Sequence, residues 1–425
     1  CLPLLLASVL LIILITNQGI RFKISETGPR LDGTYQIVLL SNIVLSKDTL
    51  PEISLVPQSE VSVSVSGNRI TVISKQPLLA DTEYRISVSG AKTSIGSKQT
   101  KPSTDMFKTN QITGLGVHRQ LGADSIERIL IKDKQLLVKK VVSAETITFL
   151  GTSPDYIWWT SSKDPKNHTL HTFDKKSEEI STLELPKDVI IESLAVSKET
   201  NDAVCILFSS NKNPDNSVAE DHSVYTINAD QKSITKQPAP LNSAAAALIS
   251  PNGAYLLVQS RDGSVFAKSL LETEPLPLGR TRLIGPFSGD SSTIIMRSLE
   301  STHAYRLLTA QKDEVAAIPT YAAQVQTNYT GNQFLYSLTD FTEDQKSIVR
   351  VYKLVQDSPP APIYNLPENT YSGRLVSVPS LQYSAIEVVT KGAQFDTYTG
   401  NAKPLNLQTE IITSDGQKIG TVPLV

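Results

Sequence analysis

A unit of about 40 to 50 residues recurs from Gly114 to the end of the chain, and this is the usual spacing of four-stranded propeller blades. Each unit contains a turn, an apolar strand, a polar hairpin and a second strand. The apolar strands are Tyr156–Trp159, Ala203–Phe208, Tyr255–Val258, Thr293–Met296, Phe334–Tyr336 and Ala385–Val389. The partner strands are Thr169–Phe173, Ser223–Ile227, Ser264–Lys268, Ala304–Leu308, Ile348–Leu354 and Gln394–Tyr398. Residues 112–425 are therefore predicted to form a β-propeller.

The number of blades is six or seven on this pattern. Six units are visible, and the runs Ile129–Ile131 and Gln135–Val138 provide strands for a seventh. Two further strands are expected at the C-terminal end, Glu410–Thr413 and Lys418–Val422. Because a lone hairpin is marginal in water, we expect these last strands to join the first ones, Glu127–Val138, in one shared sheet that closes the ring.

One unit carries a recognisable motif. Ser250-Pro251-Asn252-Gly253-Ala254-Tyr255 is followed by the apolar Leu256-Leu257-Val258 and then by Arg261-Asp262-Gly263. This resembles the repeat of WD-like and Tol-type bacterial propellers. Pro and Asn-Gly favour a tight turn between two strands, and the resemblance implies that the apolar strand is sandwiched between neighbouring blades.

Residues 21–111 show a different pattern, with apolar side chains at every second position. Tyr35, Ile37 and Leu39 form one such set, and Tyr84, Ile86 and Val88 form another. Alternation places one side of each strand in a core and the other in water, and Gly67-Asn68 is typical of a tight hairpin. About seven strand-length runs predict an Ig-like β-sandwich.

The same region resembles the Ig-like domains of bacterial S-layer and other surface proteins. The resemblance rests on the run from Gly67 to Val72, on Asp81-Thr82-Glu83-Tyr84, and on the closing Phe107-Lys108-Thr109. Such domains act as spacers or adhesion modules without catalytic residues, so the resemblance implies a structural role at a cell surface.

An uncharged apolar run, Leu2–Thr16, precedes the sandwich. Extended to Ile20 as a helix, it comes close to the roughly 30 Å of a bilayer core. We expect residues 1–20 to be an uncleaved, single-pass membrane anchor. A cleaved signal peptide and a lipoprotein beginning at Cys1 are the alternatives. The folded domains are then extracytoplasmic, at the bacterial cell surface.

Composition agrees with an exported β protein and argues against nucleic acid as a partner. Charged residues make up 19% of the chain and the net charge is −2, whereas phosphate binding needs a clear basic excess. The two cysteines, Cys1 and Cys205, cannot form a disulfide framework. Cys205 lies in an apolar strand, and we expect it to be a buried, inert thiol.

The candidate ligand-face residues are Tyr156, Trp158 and Trp159, which include both tryptophans of the chain. Adjacent residues of a strand point to opposite sides. One tryptophan is therefore expected to pack between blades, and the other is a candidate for stacking against a carbohydrate or peptide.

No motif for catalysis, cofactor binding or metal binding is present. G-x-S-x-G, the P-loop and the dinucleotide glycine pattern do not occur, and none of the five histidines has metal-site spacing. His168 and His171 are expected to face opposite sides of one strand. Asn211–Ser217 resembles a calcium loop, but Asn216 and His222 occupy the positions that require Gly and Glu, which favours a plain polar hairpin.

Two function classes follow from these patterns. The first is a membrane-anchored, non-enzymatic binding or scaffold protein whose propeller binds a protein or glycan. The second is an extracytoplasmic enzyme, or a subunit of one, with its site at the propeller axis. A polar cluster of Asp, Glu, His or Arg at that axis would favour the second class.

Overall fold

The computed structural model describes residues 20–423, apart from 30–33, 76–77, 79–81, 95–101, 110–111, 120–122, 133–134, 165–166, 213–217, 270–273, 308, 310, 316, 323, 329, 342–343, 345–346, 356–357, 369, 378–382, 391–394, 397–402 and 405–407. Every regular element in these residues is a β-strand. Contacts divide the chain into two compact units between Ile112 and Thr113, one residue from the predicted boundary.

The first unit contains seven strands in two antiparallel sheets. They are β1 (Phe22–Pro29), β2 (Tyr35–Ser41), β3 (Glu52–Val56), β4 (Val61–Ser66), β5 (Arg69–Ser74), β6 (Glu83–Ser89) and β7 (Ser103–Lys108). One sheet has the order β1-β2-β5-β4 and the other β3-β6-β7. Both sheets contribute to a single hydrophobic core, so the unit is a β-sandwich.

The alternation predicted for this unit is confirmed. Tyr35, Ile37 and Leu39 of β2 are buried, as are Tyr84 and its alternating neighbours on β6. The rings of Tyr35 and Tyr84 both stack on Phe107, with centroids 5.6 and 5.7 Å away. The turn between β4 and β5 has two residues, and its first residue, a glycine, has a φ of 63°, a conformation that glycine adopts without steric cost.

The predicted anchor lies outside the described residues except for its last residue. Ile20 is only 7% exposed and belongs to the sandwich core, so the apolar segment as predicted, residues 1–20, extends one residue too far. Ile20 is apolar because it packs against the sheets. No helix capable of crossing a membrane is found among the residues that the structure describes.

The second unit contains seven successive antiparallel sheets in its described part. The first sheet is formed by β8 (Ile112–His118), β9 (Asp124–Lys132) and β10 (Gln135–Ala144), and the second by β11 (Thr146–Thr152), β12 (Tyr156–Asp164), β13 (Asn167–Asp174) and β14 (Ile180–Leu183). The third comprises β15 (Ile190–Val196), β16 (Asp202–Lys212), β17 (Val218–Asn228) and β18 (Ser233–Lys236).

The fourth sheet is formed by β19 (Ala246–Ile249), β20 (Tyr255–Gln259), β21 (Ser264–Ser269) and β22 (Leu276–Arg280), and the fifth by β23 (Leu283–Phe287), β24 (Thr293–Arg297), β25 (Thr302–Arg306) and β26 (Gln311–Glu314). The sixth comprises β27 (Gln324–Thr327), β28 (Gln333–Phe341), β29 (Ser347–Val355) and β30 (Ala361–Asn365). The seventh contains β31 (Thr370–Ser377), β32 (Tyr383–Thr390), β35 (Gln408–Thr413) and β36 (Lys418–Val422), while β33 (Phe395–Asp396) and β34 (Lys403–Pro404) pair separately.

This arrangement is a seven-bladed β-propeller in the residues described. Each predicted apolar strand is the second strand of its sheet, and its side chains fill the cores between adjacent sheets. Leu256 and Leu257 of β20, for example, are fully buried in two different cores. A strand packed on both sides must be apolar along its whole length, which explains the continuous runs in the sequence.

The predicted mode of ring closure is wrong. β35 and β36 pair with β32 in the seventh sheet, and not with the first strands of the unit. The contact between the last and first sheets is one of side chains, in which Val422 packs with Ile129 and Leu136. The predicted partner strand Gln394–Tyr398 is also wrong, since β33 pairs with β34 and β35 takes the place beside β32.

Candidate functional site

The propeller has two rims, which differ in character. The first, here the turn face, carries the turns that join the first and second strands of each sheet, such as 153–155, 197–201, 250–254 and 288–292. The second, the loop face, carries the hairpins that join the second and third strands and the links between consecutive sheets, such as 184–189, 260–263, 298–301 and 317–322.

A recurring serine organises the turn face. Ser153, Ser197, Ser250 and Ser288 are all buried. Each donates its backbone N–H across the turn, as Ser250 does to the Tyr255 carbonyl at 2.9 Å. In the fourth and fifth sheets the hydroxyl also accepts a backbone N–H of the following strand. The Ser-Pro-Asn-Gly motif is therefore explained by turn geometry.

Hydrogen bonds also connect these turns from sheet to sheet. The Ser153 hydroxyl donates to Asn201 Oδ1 at 3.0 Å, and the Ser197 hydroxyl donates to the Pro251 carbonyl at 2.6 Å. A backbone N–H of the fourth sheet's turn, at position 252, donates to a serine hydroxyl of the fifth sheet's turn at 3.0 Å. Most polar groups of this rim are thus satisfied by the protein itself, and its role is largely structural.

Both tryptophans are core residues, which corrects the prediction that one of them lines a ligand face. Trp158 is 0% exposed in the core between the second and third sheets, where its indole N–H donates to Ser153 Oγ at 3.0 Å. Trp159 is 2% exposed on the opposite side of the strand and stacks on His171. Adjacent blades cover both sides of an inner strand, so alternation exposes neither ring.

Tyr156, the third candidate, is half-buried on the turn face beside an acidic cluster. Burial raises its pKa above the usual value, and the Asp230 carboxylate, to which it is hydrogen-bonded, raises it further. Asn201 holds the cluster together, since its Nδ2 donates to Asp155 at 2.7 Å and to Asp230 at 3.1 Å. No group of three or more potential metal ligands occurs among the described residues.

The histidines are also placed as separate side chains. His168 is buried and its Nδ1 accepts the Ile191 N–H at 3.2 Å, on the side facing the third sheet. His171 packs against Trp159 on the other side, so the prediction of opposite faces is confirmed. Burial lowers the pKa of His171, which keeps this ring neutral at pH 7.

The loop face exposes large apolar side chains. Leu299, Tyr321 and Phe341 are 75%, 74% and 70% exposed, and they lie on the fifth sheet, on the link to the sixth, and on the sixth. Tyr371, at the start of the seventh sheet, is half-exposed. On the turn face, the exposed large apolar side chains of the described part are aliphatic, and Val376 is an example.

A rigid base supports this apolar patch. The Tyr336 and Tyr352 rings stack with centroids 5.4 Å apart, and the Tyr336 hydroxyl donates to the Ala317 carbonyl at 3.2 Å. The Tyr352 hydroxyl donates to Asp340, which also pairs with Arg350 at 3.3 Å. Aromatic side chains on a preformed base lose little entropy when they bind a partner.

A second group on the loop face surrounds His222. Asp221 and His222 lie opposite Phe208 in a β-bulge, and His222 has a φ of 54°. Its Nδ1 lies 2.6 Å from Glu192 Oε2, and its ring lies 5.1 Å from that of Phe208. Bulges re-aim side chains and are frequent beside active sites, and left-handed backbone at a non-glycine residue stores strain.

The sequence patterns did not identify either group. Tyr321 and Phe341 interrupt otherwise polar loops at strand ends, which is the one signal that they carry. His222 was noted only as the wrong residue for a calcium loop, and its partner Glu192 comes from a different strand.

No protein family matches the chain, and no curated protein does. Similar solved structures exist. A prolyl endopeptidase has a TM-score of 0.50 at 12% identity, over 72% of this chain and 49% of that one, so the chain spans about half of its length. An oligogalacturonate lyase from Vibrio parahaemolyticus has a TM-score of 0.48 at 8% identity, over 64% and 87% of the two chains. TolB from Acinetobacter baumannii has a TM-score of 0.41 at 9% identity, over 81% and 76%. At such identities the likeness shows a β-propeller fold, and enzymes and non-enzymes share that fold.

Proposed function

We propose that this chain is a non-enzymatic binding protein whose propeller presents its loop face to a protein partner. The observation that carries the proposal is the set of exposed apolar side chains, Leu299, Tyr321, Phe341 and Tyr371, on consecutive parts of one rim. Tyrosines and other aromatics dominate the energetics of protein interfaces. The polar groups of the opposite rim are engaged in contacts between blades.

The location belongs to the same proposal. Residues 1–20 anchor the chain in the membrane, and an Ig-like sandwich holds the propeller away from the bilayer at the bacterial cell surface. The uncharged run Leu2–Thr16 and the low charged fraction of 19% support this placement. Membrane sedimentation of the full chain, compared with a chain beginning at Asn17, tests it. Recovery of the uncleaved full chain in the soluble fraction would refute it.

The binding proposal is tested by differential capture. The immobilised protein and a Tyr321→Ser/Phe341→Ser variant are exposed to a surface-protein extract, and any protein retained only by the first is purified and titrated against both. A Val355→Ser/Val376→Ser variant changes exposed apolar residues of the turn face and is the matched control. We expect the loop-face variant to weaken binding at least tenfold and the control to bind normally.

Two outcomes would overturn the proposal. The first is that no protein distinguishes the loop-face variant from the unchanged chain. The second is that the turn-face control loses binding equally. A glycan array probed with the same three proteins identifies a carbohydrate ligand instead of a protein.

The His222 group favours the second function class. Glu192 lies on an innermost strand and contacts His222 at 2.6 Å, and Asp221 and Arg261 lie 3.8 Å apart beside them. A carboxylate that orients a histidine is a common arrangement for acid–base catalysis. Peptide and oligosaccharide substrates incubated with the protein and with His222→Gln, with products detected by mass spectrometry, test this candidate. Turnover lost only in the variant would support an enzyme.

A further inference from the structure

Lys175 places a cation at a fixed position on the turn face. It follows β13, and its Nζ donates to the Ser153 and Pro154 carbonyls at 2.5 and 3.1 Å. These carbonyls belong to the first turn of the same sheet. The ammonium is therefore held over the turn by two neutral acceptors, and its full charge remains available to a ligand.

Two further cations lie within electrostatic reach of Lys175. Burial, followed by the positive charge of Arg128, lowers the pKa of Lys175, and Lys198 lowers it further. Within the described part of the chain, the side chains of Arg128 and Lys198 have no hydrogen-bond or ion-pair partner. The nearest opposing charge is Asp155, and its carboxylate already accepts a hydrogen bond from Asn201.

This lack of partners contrasts with other cations of the propeller. Several enclosed cations have a carboxylate partner, as Arg119 has Asp124, Lys236 has Glu220 and Lys418 has Glu410. Like charges held close together without counter-charges cost free energy. An arrangement of this kind is stabilised when an anion binds between the charges.

Lys198 is positioned for such contact. Its backbone N–H and that of Glu199 both donate to the Pro251 carbonyl, at 3.0 and 2.8 Å, which fixes the turn between the third and fourth sheets. Its side chain is exposed, yet surrounding protein displaces enough water to lower its pKa. An exposed ammonium that is partly desolvated lies in a concave part of the surface.

We propose that Arg128, Lys175 and Lys198 form a binding site on the turn face for an oxyanion that carries two or more negative charges as phosphates or carboxylates. Lysine ammonium groups bind such groups as point charges, and arginine binds them through its planar fork. The site is distinct from the apolar patch, takes a different class of ligand, and is independent of the proposed protein partner.

The test is isothermal titration of the full chain with inorganic pyrophosphate and, in a second arm, with a trimer of galacturonic acid. The same titrations are made with Lys198→Gln, with Lys175→Gln, and with the control Lys187→Gln, an exposed lysine on the loop face with the same charge change. Glutamine retains a donor for the two carbonyls at position 175, and melting curves verify that the variants fold.

We expect at least one probe to bind, with affinity reduced at least tenfold in Lys198→Gln and in Lys175→Gln and unchanged in Lys187→Gln, since tenfold corresponds to one charge-assisted hydrogen bond of about 1.4 kcal/mol. The arm that responds distinguishes phosphate from carboxylate ligands. Failure of both probes to bind, or an equal loss in the Lys187→Gln control, would overturn the site.

Discussion

Asn201 stabilises the turn face because an amide can donate where a carboxylate cannot. Its Oδ1 accepts the Ser153 hydroxyl and the Asp155 N–H, at 3.0 and 3.2 Å, while its Nδ2 donates to the Asp155 and Asp230 carboxylates. Asn201→Asp keeps the two accepted bonds, loses both donated bonds, and brings a third negative charge beside two others.

The magnitude follows from these contacts. Each lost bond to a charged group costs about 1.5 kcal/mol at the low end of the usual range, which suits this partly exposed site. Repulsion at about 3 Å adds on the order of 1 kcal/mol for each carboxylate at high dielectric. Asn201→Asp should therefore lower the free energy of unfolding of the propeller by about 3 to 5 kcal/mol at pH 7.

The loss should depend on pH in a defined direction. Two neighbouring carboxylates raise the pKa of the carboxyl group introduced at position 201 above its unfolded value, so the destabilisation is full above that raised pKa. It diminishes as the pH falls through about 4, because a protonated carboxyl group can donate again and the repulsion disappears. Thermal melts between about pH 3 and about pH 8 measure this change, because they span the ordinary range of carboxyl titration.

The chain offers a matched control at Asn252. There Oδ1 accepts from the Ser250 hydroxyl at 2.8 Å and from the Ala254 N–H at 3.0 Å. In the next sheet the natural Asp290 accepts the equivalent bonds from the neighbouring serines. Asn252→Asp should change stability by less than about 0.5 kcal/mol. Equal losses in the two variants, or a loss at Asn201 that does not depend on pH, would refute the reasoning.

Four further predictions follow from the buried groups. Tyr84→Ala should destabilise the sandwich by about 3–5 kcal/mol and shift only one of two calorimetric transitions; a single shifted transition would contradict this. Burial raises the pKa of the Cys205 thiol to about 12, so in a Cys1→Ser variant it should react with a thiol reagent only after unfolding. Deleting residues 410–425 removes β36 and most of β35, and light scattering during melting should then show aggregation. Burial raises the pKa of Tyr336 to about 12 from the usual 10.0, so its contribution to stability is complete below pH 10.0 and is lost as the pH rises to about 12; melting curves in this range should shift less in Tyr336→Phe.

The sequence predicts those parts of the fold that depend on local pattern. The alternation of Tyr84 with its neighbours requires one buried side, and the continuous run around Leu256 requires burial on both sides. These patterns predict the sandwich and the repeated sheets. The two-residue hairpin at Gly67 and the turn at Ser250 were predictable because their residues favour particular backbone angles.

Ring closure and the candidate sites depend on contacts between residues distant in the chain. Whether β35 pairs with β32 or with β9 is decided by which open edge is adjacent once the sheets have packed, and both sequences are equally suited to a strand. Trp159 is apolar in either location, so only the neighbouring sheet shows that it is buried. The pairing of His222 with Glu192 and the approach of Lys198 to Lys175 join separate strands or separate sheets. Periodicity records whether a side chain is buried or exposed, but it does not record which partner it meets, and that partner exists only in the assembled propeller.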